Sequence, residues 1–170
     1  INIRSYGDEA QTIEKYSIPF IEGLQSKNII SCAKHYPGHG NTSTDSHTSL
    51  PIININKENF IENELYPFKK ACENNVRAIM IGHILIPSLD LEYPATFSKE
   101  ITENILRNEI NFNGLIITDA LEMGALTSTT WHGESAIRSI EAGADILLLP
   151  LDAIQAIDAI LNAVVSGRIS

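Results

Sequence analysis

The sequence predicts an α/β fold, parallel strands joined by crossover helices, on three observations. Short β-branched apolar runs alternate with longer segments whose apolar residues recur at helical spacing. Each run is apolar almost throughout, the pattern of a strand buried on both faces. Polar, chemistry-bearing residues gather just beyond the runs: Lys34 and His35 after the first, His83 after the second, Asp119 after the third. That rim, at the carboxyl ends of the strands, is where α/β barrels and open sheets place their sites.

In chain order, residues 1–4 read as the tail of one strand, and residues 29–33, 77–82, 115–118 and 145–149 as four more. Ile61, Leu65, Phe68 and Cys72 recur at helical spacing, as do Ile154, Ile157, Leu161 and Val164, so each of these helices is expected to bury that stripe. Asp152 is placed to cap the start of the last helix and Gly167 its end. Ser98 is placed to cap a helix running to about Asn108, and Gly143 to end one beginning near Glu134. Pro19 and Pro67 fall inside helical patterns, which predicts kinks or late starts there. Four strands and a remnant make about five βα units, whereas a closed eightfold barrel takes roughly 250 residues. The expected architecture is therefore an incomplete (β/α)8 TIM barrel, about the last five βα units, with residues 1–170 forming one partial domain.

The 170 residues are 44% hydrophobic with mean hydropathy near zero, enough for a sizeable core and unlike a disordered or collagenous chain. The formal net charge of -9 comes from 21 acidic against 12 basic residues with no basic cluster, which argues against a nucleic-acid backbone or an anionic membrane as partner. No apolar run approaches the roughly 18 residues of a membrane span, and no charged-then-apolar leader opens the chain, although its abrupt start at Ile1-Asn2-Ile3 leaves open whether one preceded it. The compartment stays undetermined. Cys32 and Cys72, far apart and in apolar contexts, read as buried thiols, not as a disulfide framework.

Residues 34–51 hold the densest chemistry, with three histidines, one aspartate, two glycines and two prolines, in a pattern too irregular for strand or amphipathic helix. A polar loop leaving a buried strand is an active-site layout. Taken alone, its residues admit several readings. His35, His39, Asp45 and His47 could ligate zinc, but neither a helical His-x-x-x-His nor a cysteine pair supports that. Gly38-His39-Gly40-Asn41-Thr42-Ser43-Thr44 lacks the Gly-Lys-(Ser or Thr) of a phosphate loop, and that reading is discarded. Asp119, isolated after a strand, could merely cap a helix. Glu122 is a rival carboxylate, expected to face solvent or a neighbouring loop. His83 either lines the pocket or is a hydrogen-bonded histidine at its rim. Cys32, Met123 and Trp131 are more consistent with packing than with chemistry.

Lys34-His35-Tyr36-Pro37-Gly38-His39-Gly40, then Asp45-Ser46-His47, Leu50-Pro51 and Thr118-Asp119-Ala120-Leu121-Glu122-Met123 together resemble the glycoside hydrolase family 3 β-N-acetylhexosaminidases of the NagZ type. Arg4-Ser5-Tyr6-Gly7, Ala142-Gly143-Ala144-Asp145 and Ser166-Gly167-Arg168-Ile169-Ser170 resemble further family segments in the expected order, so the resemblance covers essentially the whole chain. It implies that Asp119 is the nucleophile, His47 the general acid/base and Asp45 the partner that orients and tunes His47. Arg4, Lys34 and His35 match positions that grip the N-acetylglucosamine ring, and Met123 is placed as a wall beneath the sugar. A retaining mechanism needs one attacking carboxylate and one proton donor, and a histidine beside a carboxylate can supply the second near neutrality.

The resemblance implies a small carbohydrate substrate, taken from peptidoglycan turnover, and neither cofactor nor metal; a neutral base also admits an anionic acceptor such as phosphate. Asn41 departs from the aspartate common at that position. The family's preceding βα units, one of which supplies an aspartate that binds sugar hydroxyls, have no counterpart here, which makes that missing part of the barrel a candidate partner. A catalytically incomplete carbohydrate-binding fragment and a zinc-dependent hydrolase stand as the alternatives.

Overall fold

The computed structural model describes residues 5–40, 50–127 and 131–169. The expected strand at residues 1–4, and with it Arg4, Asn41, Asp45 and His47, lies outside the described residues. The element order begins with α1 (Ala10–Gln25) and β1 (Cys32–Tyr36), then α2 (Lys57–Asn59), a wide π-type turn (Phe60–Glu64), α3 (Tyr66–Glu73) and β2 (Ala78–Ile81). A 3-10 turn (Ala95–Phe97), a π-type helix (Glu100–Glu109), β3 (Leu115–Thr118), α4 (Gly124–Thr127), α5 (His132–Glu141) and α6 (Ala153–Val165) complete it.

The three strands form a parallel sheet in the order β1-β2-β3, with helices between successive strands, so the α/β expectation holds. Ile79, Ile81 and Ile116 are fully buried in it, each contributing about 1.5–3 kcal/mol by the usual measure of aliphatic burial. They share one core with Tyr36, Phe60, Phe68 and Ile101. Residues 145–149 keep the path of a fourth strand but make a single bridge, Ile117 to Ile146. The ladder breaks there because Leu148 N–H donates to the Thr118 hydroxyl instead of a backbone carbonyl, at 3.0 Å, and Leu149 turns to φ 44°.

Three local expectations are corrected. The first strand lies three residues later than residues 29–33: Ile29 and Ile30 are exposed, while Lys34, His35 and Tyr36, expected in the loop, are strand residues. The sheet register decides this, because Cys32 and Ala33 pair with Ala78 and Ile79 and thereby carry the strand into the polar sequence. In α6 the buried face is Ala156, Ala159 and Ala163, and the stripe Ile154, Ile157, Leu161 and Val164 points outward, with Ile154 73% exposed. Small residues win that face because α6 packs closely on α5: a Cβ at Gly133 would stand 2.9 Å from that of Ala159. Cys32, expected to be buried, is exposed; both it and the half-buried Cys72 are free thiols.

The capping expectations fare better. The Asp152 carboxylate accepts from the Ile154 and Gln155 N–H groups, and Gly167 ends α6 at φ 77°. Ser98 Oγ accepts from Ile101 N–H at the start of the π-type helix, and Gly143 follows α5 at φ 108°. Pro67 sits in the first turn of α3, where its missing N–H is unneeded, whereas Pro19 lies inside α1.

Candidate active site

Three strand ends build the site. On β1, Ala33 pairs with Ile79 and Tyr36 with Ile81, so one extra residue is inserted at Lys34-His35. Such a bulge re-aims side chains. The Lys34-His35 and Tyr36-Pro37 peptides are both cis. The end of β1 is anchored below: Tyr36 is fully buried, its ring meets Phe68 edge-to-face at 5.3 Å, and its hydroxyl donates to the Ile101 carbonyl at 3.0 Å. Burial pushes the Tyr36 phenol well above its usual range. The loop then turns through Gly38, whose N–H donates to the His35 carbonyl and whose φ of 130° no side chain adopts comfortably. A Cβ at Gly38 would also strike Glu64, 2.6 Å from its carboxylate.

On β3, Asp119 is the first residue past the strand, and its N–H donates to the Ile81 carbonyl of the central strand at 2.8 Å. Its Oδ1 accepts from the Ala120 N–H at 2.8 Å. Its Oδ2 faces Nε2 of His35 at 3.7 Å, both side chains being largely but not wholly buried. The His35 ring in turn meets the His39 ring edge-on at 5.9 Å. Gly82, which follows β2, permits this convergence, since a Cβ there would lie 3.1 Å from that of His35.

His83 is buried, with both ring nitrogens engaged: Nδ1 lies 2.7 Å from the Thr96 hydroxyl and Nε2 2.9 Å from the Ala120 carbonyl. Both ring nitrogens are therefore hydrogen-bonded within the protein. Removal from water lowers its pKa below the ordinary imidazole value, partly offset by the Ala120 carbonyl and the Asp119 charge. Met123 is buried at the end of the turn after Asp119, its N–H donating to the Ala120 carbonyl, while Glu122 is exposed. Lys34 is exposed beside His35 on the bulge. Trp131, expected to pack, is 60% exposed.

The segment holding Asp45 and His47 lies outside the described residues. After it, Leu85 N–H donates to the Pro51 carbonyl and Ile53 N–H to the Leu85 carbonyl, seating the returning chain just beyond His83. Among the described residues, no group of three or more His, Cys, Asp or Glu could hold a metal ion, and no helix is long and apolar enough to cross a membrane. A depression of about 590 Å³ opens at the opposite, amino end of the strands, but there Arg107 and Asp145 pair with each other at 2.6 Å.

A carboxylate and two imidazoles thus converge at the carboxyl ends of parallel strands, the place where α/β folds hold their ligands. The sequence model described as the glycosyl hydrolase family 3 N terminal domain matches residues 1–170, and the chain belongs to that family. It is 33% identical to a beta-hexosaminidase of Idiomarina loihiensis over 96% of its own length and 50% of that protein's. The fold superposes on a family 3 beta-N-acetylglucosaminidase from Paenibacillus with a TM-score of 0.95 at 38% identity, covering 98% of this chain and 32% of that one. It superposes on zinc-bound CbsA from Thermotoga neapolitana with a TM-score of 0.94 at 31% identity, covering 99% of this chain and 37% of that one. The chain thus spans about half the length, or less, of these relatives.

Proposed function

We propose that this chain carries the nucleophile and part of the sugar-binding wall of a retaining β-N-acetylhexosaminidase that removes terminal N-acetylglucosamine from small glycans. The observation that carries the reading is the Asp119 carboxylate, held through Oδ1 by the Ala120 N–H with Oδ2 turned toward His35. Oδ2 attacks the anomeric carbon as the bond to the leaving oxygen breaks. His47, steered by Asp45, gives that oxygen its proton, then takes one from the water that releases the sugar. Arg4, Lys34 and His35 grip the ring, and Met123 forms the wall beneath it.

The beta-hexosaminidase and beta-N-acetylglucosaminidase relatives support the substrate class, and fragments of peptidoglycan are the glycans that fit the resemblance. The described βα units are read as the later part of a (β/α)8 barrel whose other strands complete the pocket, so that residues 1–170 form a partial catalytic domain.

The test is made in the full-length protein. Asp119→Ala should abolish turnover of an aryl N-acetylglucosaminide, and normal turnover would remove Asp119 from the nucleophile's place. His47→Ala should lose most with poor leaving groups; a uniform loss across leaving groups contradicts its acid role.

A further inference from the structure

His83 follows Gly82 beyond the central strand and is 1% exposed, yet it is polar and stands within a hydrogen-bond chain that ends on Asp119. We propose that His83 is a positioning residue, holding the Asp119 carboxylate in its attacking orientation through the backbone of Ala120. This rests on Asp119 being the nucleophile.

The direction of each hydrogen bond follows from what each atom can do. The Ala120 carbonyl only accepts, so Nε2 of His83, 2.9 Å away, carries the proton. Burial disfavours the charged ring, so Nδ1 is the unprotonated nitrogen and accepts from the Thr96 hydroxyl at 2.7 Å. That hydroxyl has a second acceptor, the Gly82 carbonyl, at the longer distance of 3.3 Å. The imidazole therefore ties the 3-10 turn (Ala95–Phe97) to the turn that carries Asp119.

The peptide groups around Ala120 are held on both sides. Its N–H donates to Asp119 Oδ1, and its carbonyl takes both the His83 N–H and the Met123 N–H, the latter at 3.1 Å. Asp119 N–H is fixed separately to the Ile81 carbonyl at 2.8 Å. The turn that carries the nucleophile is thus tied to the central strand through Asp119 N–H, to residues 148–149 through Leu121 and Glu122 N–H, and to the 3-10 turn through the His83 side chain. Without His83, the turn keeps the Met123 N–H on the Ala120 carbonyl and the Leu121 N–H on the Leu148 carbonyl at 2.9 Å, but it loses its tie to the 3-10 turn, and the Ala120 N–H can shift from Oδ1. A nucleophile displaced by about 1 Å costs on the order of a hundredfold in rate.

The experiment uses the full-length protein, an aryl N-acetylglucosaminide and five variants: His83→Ala, His83→Gln, Thr96→Val, Thr96→Ser and Asp119→Ala. His83→Ala is expected to lower kcat by about ten- to a hundredfold while KM moves by no more than about threefold, because the lost alignment acts on the reacting carboxylate more than on sugar binding. His83→Gln, whose amide nitrogen reaches the place of Nε2, should recover about tenfold of that loss. If His83→Ala fails to fold, Thr96→Val supplies the reading: kcat should fall, and Thr96→Ser should restore it. Overturning results are an unchanged kcat in His83→Ala, or in Thr96→Val where the alanine variant does not fold, and equal losses in His83→Ala and His83→Gln. An inactive Asp119→Ala beside a fully active His83→Ala sinks this inference and leaves the nucleophile standing. An active Asp119→Ala removes the reading beneath it.

Discussion

His35 in β1 and Asp119 just past β3 belong to strands separated in the sheet by β2, yet their side chains approach to 3.7 Å because the position after β2 is Gly82. A valine there would drive its Cβ to 3.1 Å from that of His35, with Ile84 equally close on another side, so the imidazole must yield. Gly82→Val should reduce kcat/KM by roughly a hundredfold, in line with the cost of about 1 Å of misplacement at a reacting centre. Gly82→Ala should cost less, and steady-state kinetics on both variants checks the order.

Tyr36 anchors the other side of the site. Tyr36→Phe keeps the ring against Phe68 but leaves the Ile101 carbonyl without its hydroxyl donor. That carbonyl also lies in the π-type helix, so the loss is that of one net hydrogen bond, about 0.5–1.5 kcal/mol. Urea unfolding should show that loss with little change in slope, while retained stability would mean that the Tyr36 hydroxyl bond adds nothing net.

Arg168 clamps α5 to the end of α6 by pairing with Glu134 and Glu141, each at 2.8 Å. The Arg168 hydrogen bond, then that of Arg138, holds the Glu134 carboxyl down at about 2. A carboxyl whose folded pKa is depressed stabilises fully above its unfolded pKa and loses that contribution as pH falls toward the folded one. The stability from this pair should therefore be intact above about 4.5 and drain away toward about 2. Arg168→Met should flatten acid denaturation in that window, and an unchanged acid limb would show the pair to be energetically silent.

How far the sequence reveals this structure depends on which force decided each element. Residues 77–82 and 115–118 form strands close to where they were expected, because runs buried on both faces leave one choice. Residues 29–33 misled, since two exposed isoleucines mimic a buried run and only pairing with Ala78 and Ile79 settles the register. The face of α6 misled for the opposite reason: hydrophobicity favours the isoleucine stripe, but the close approach of α5 favours alanine. In the site, Asp119 and His35 were legible as residue types after strands. Their meeting was not, because it needs the bulge in β1 and the bare Gly82 between them. The doubly bonded setting of His83 depends on Thr96 and Ala120, which no local spacing joins to it.

The zinc alternative makes its own prediction. Among the described residues His35 and His39 pack ring against ring without a third ligand. Activity of the full-length protein should survive exhaustive chelation; loss on chelation with recovery on added zinc would favour a metal-dependent hydrolase.

The central claim is that Asp119 forms a bond to the sugar. Incubating the full-length protein with a fluorinated, slowly released N-acetylglucosaminide analogue, then digesting it and mapping the labelled peptide by mass spectrometry, tests this directly. A sugar mass carried by the peptide spanning Thr118, Asp119 and Ala120, localised to Asp119 and absent in Asp119→Ala, is the predicted result. A label on Glu122 or any other carboxylate, or turnover of the analogue with no covalent adduct at all, would contradict it.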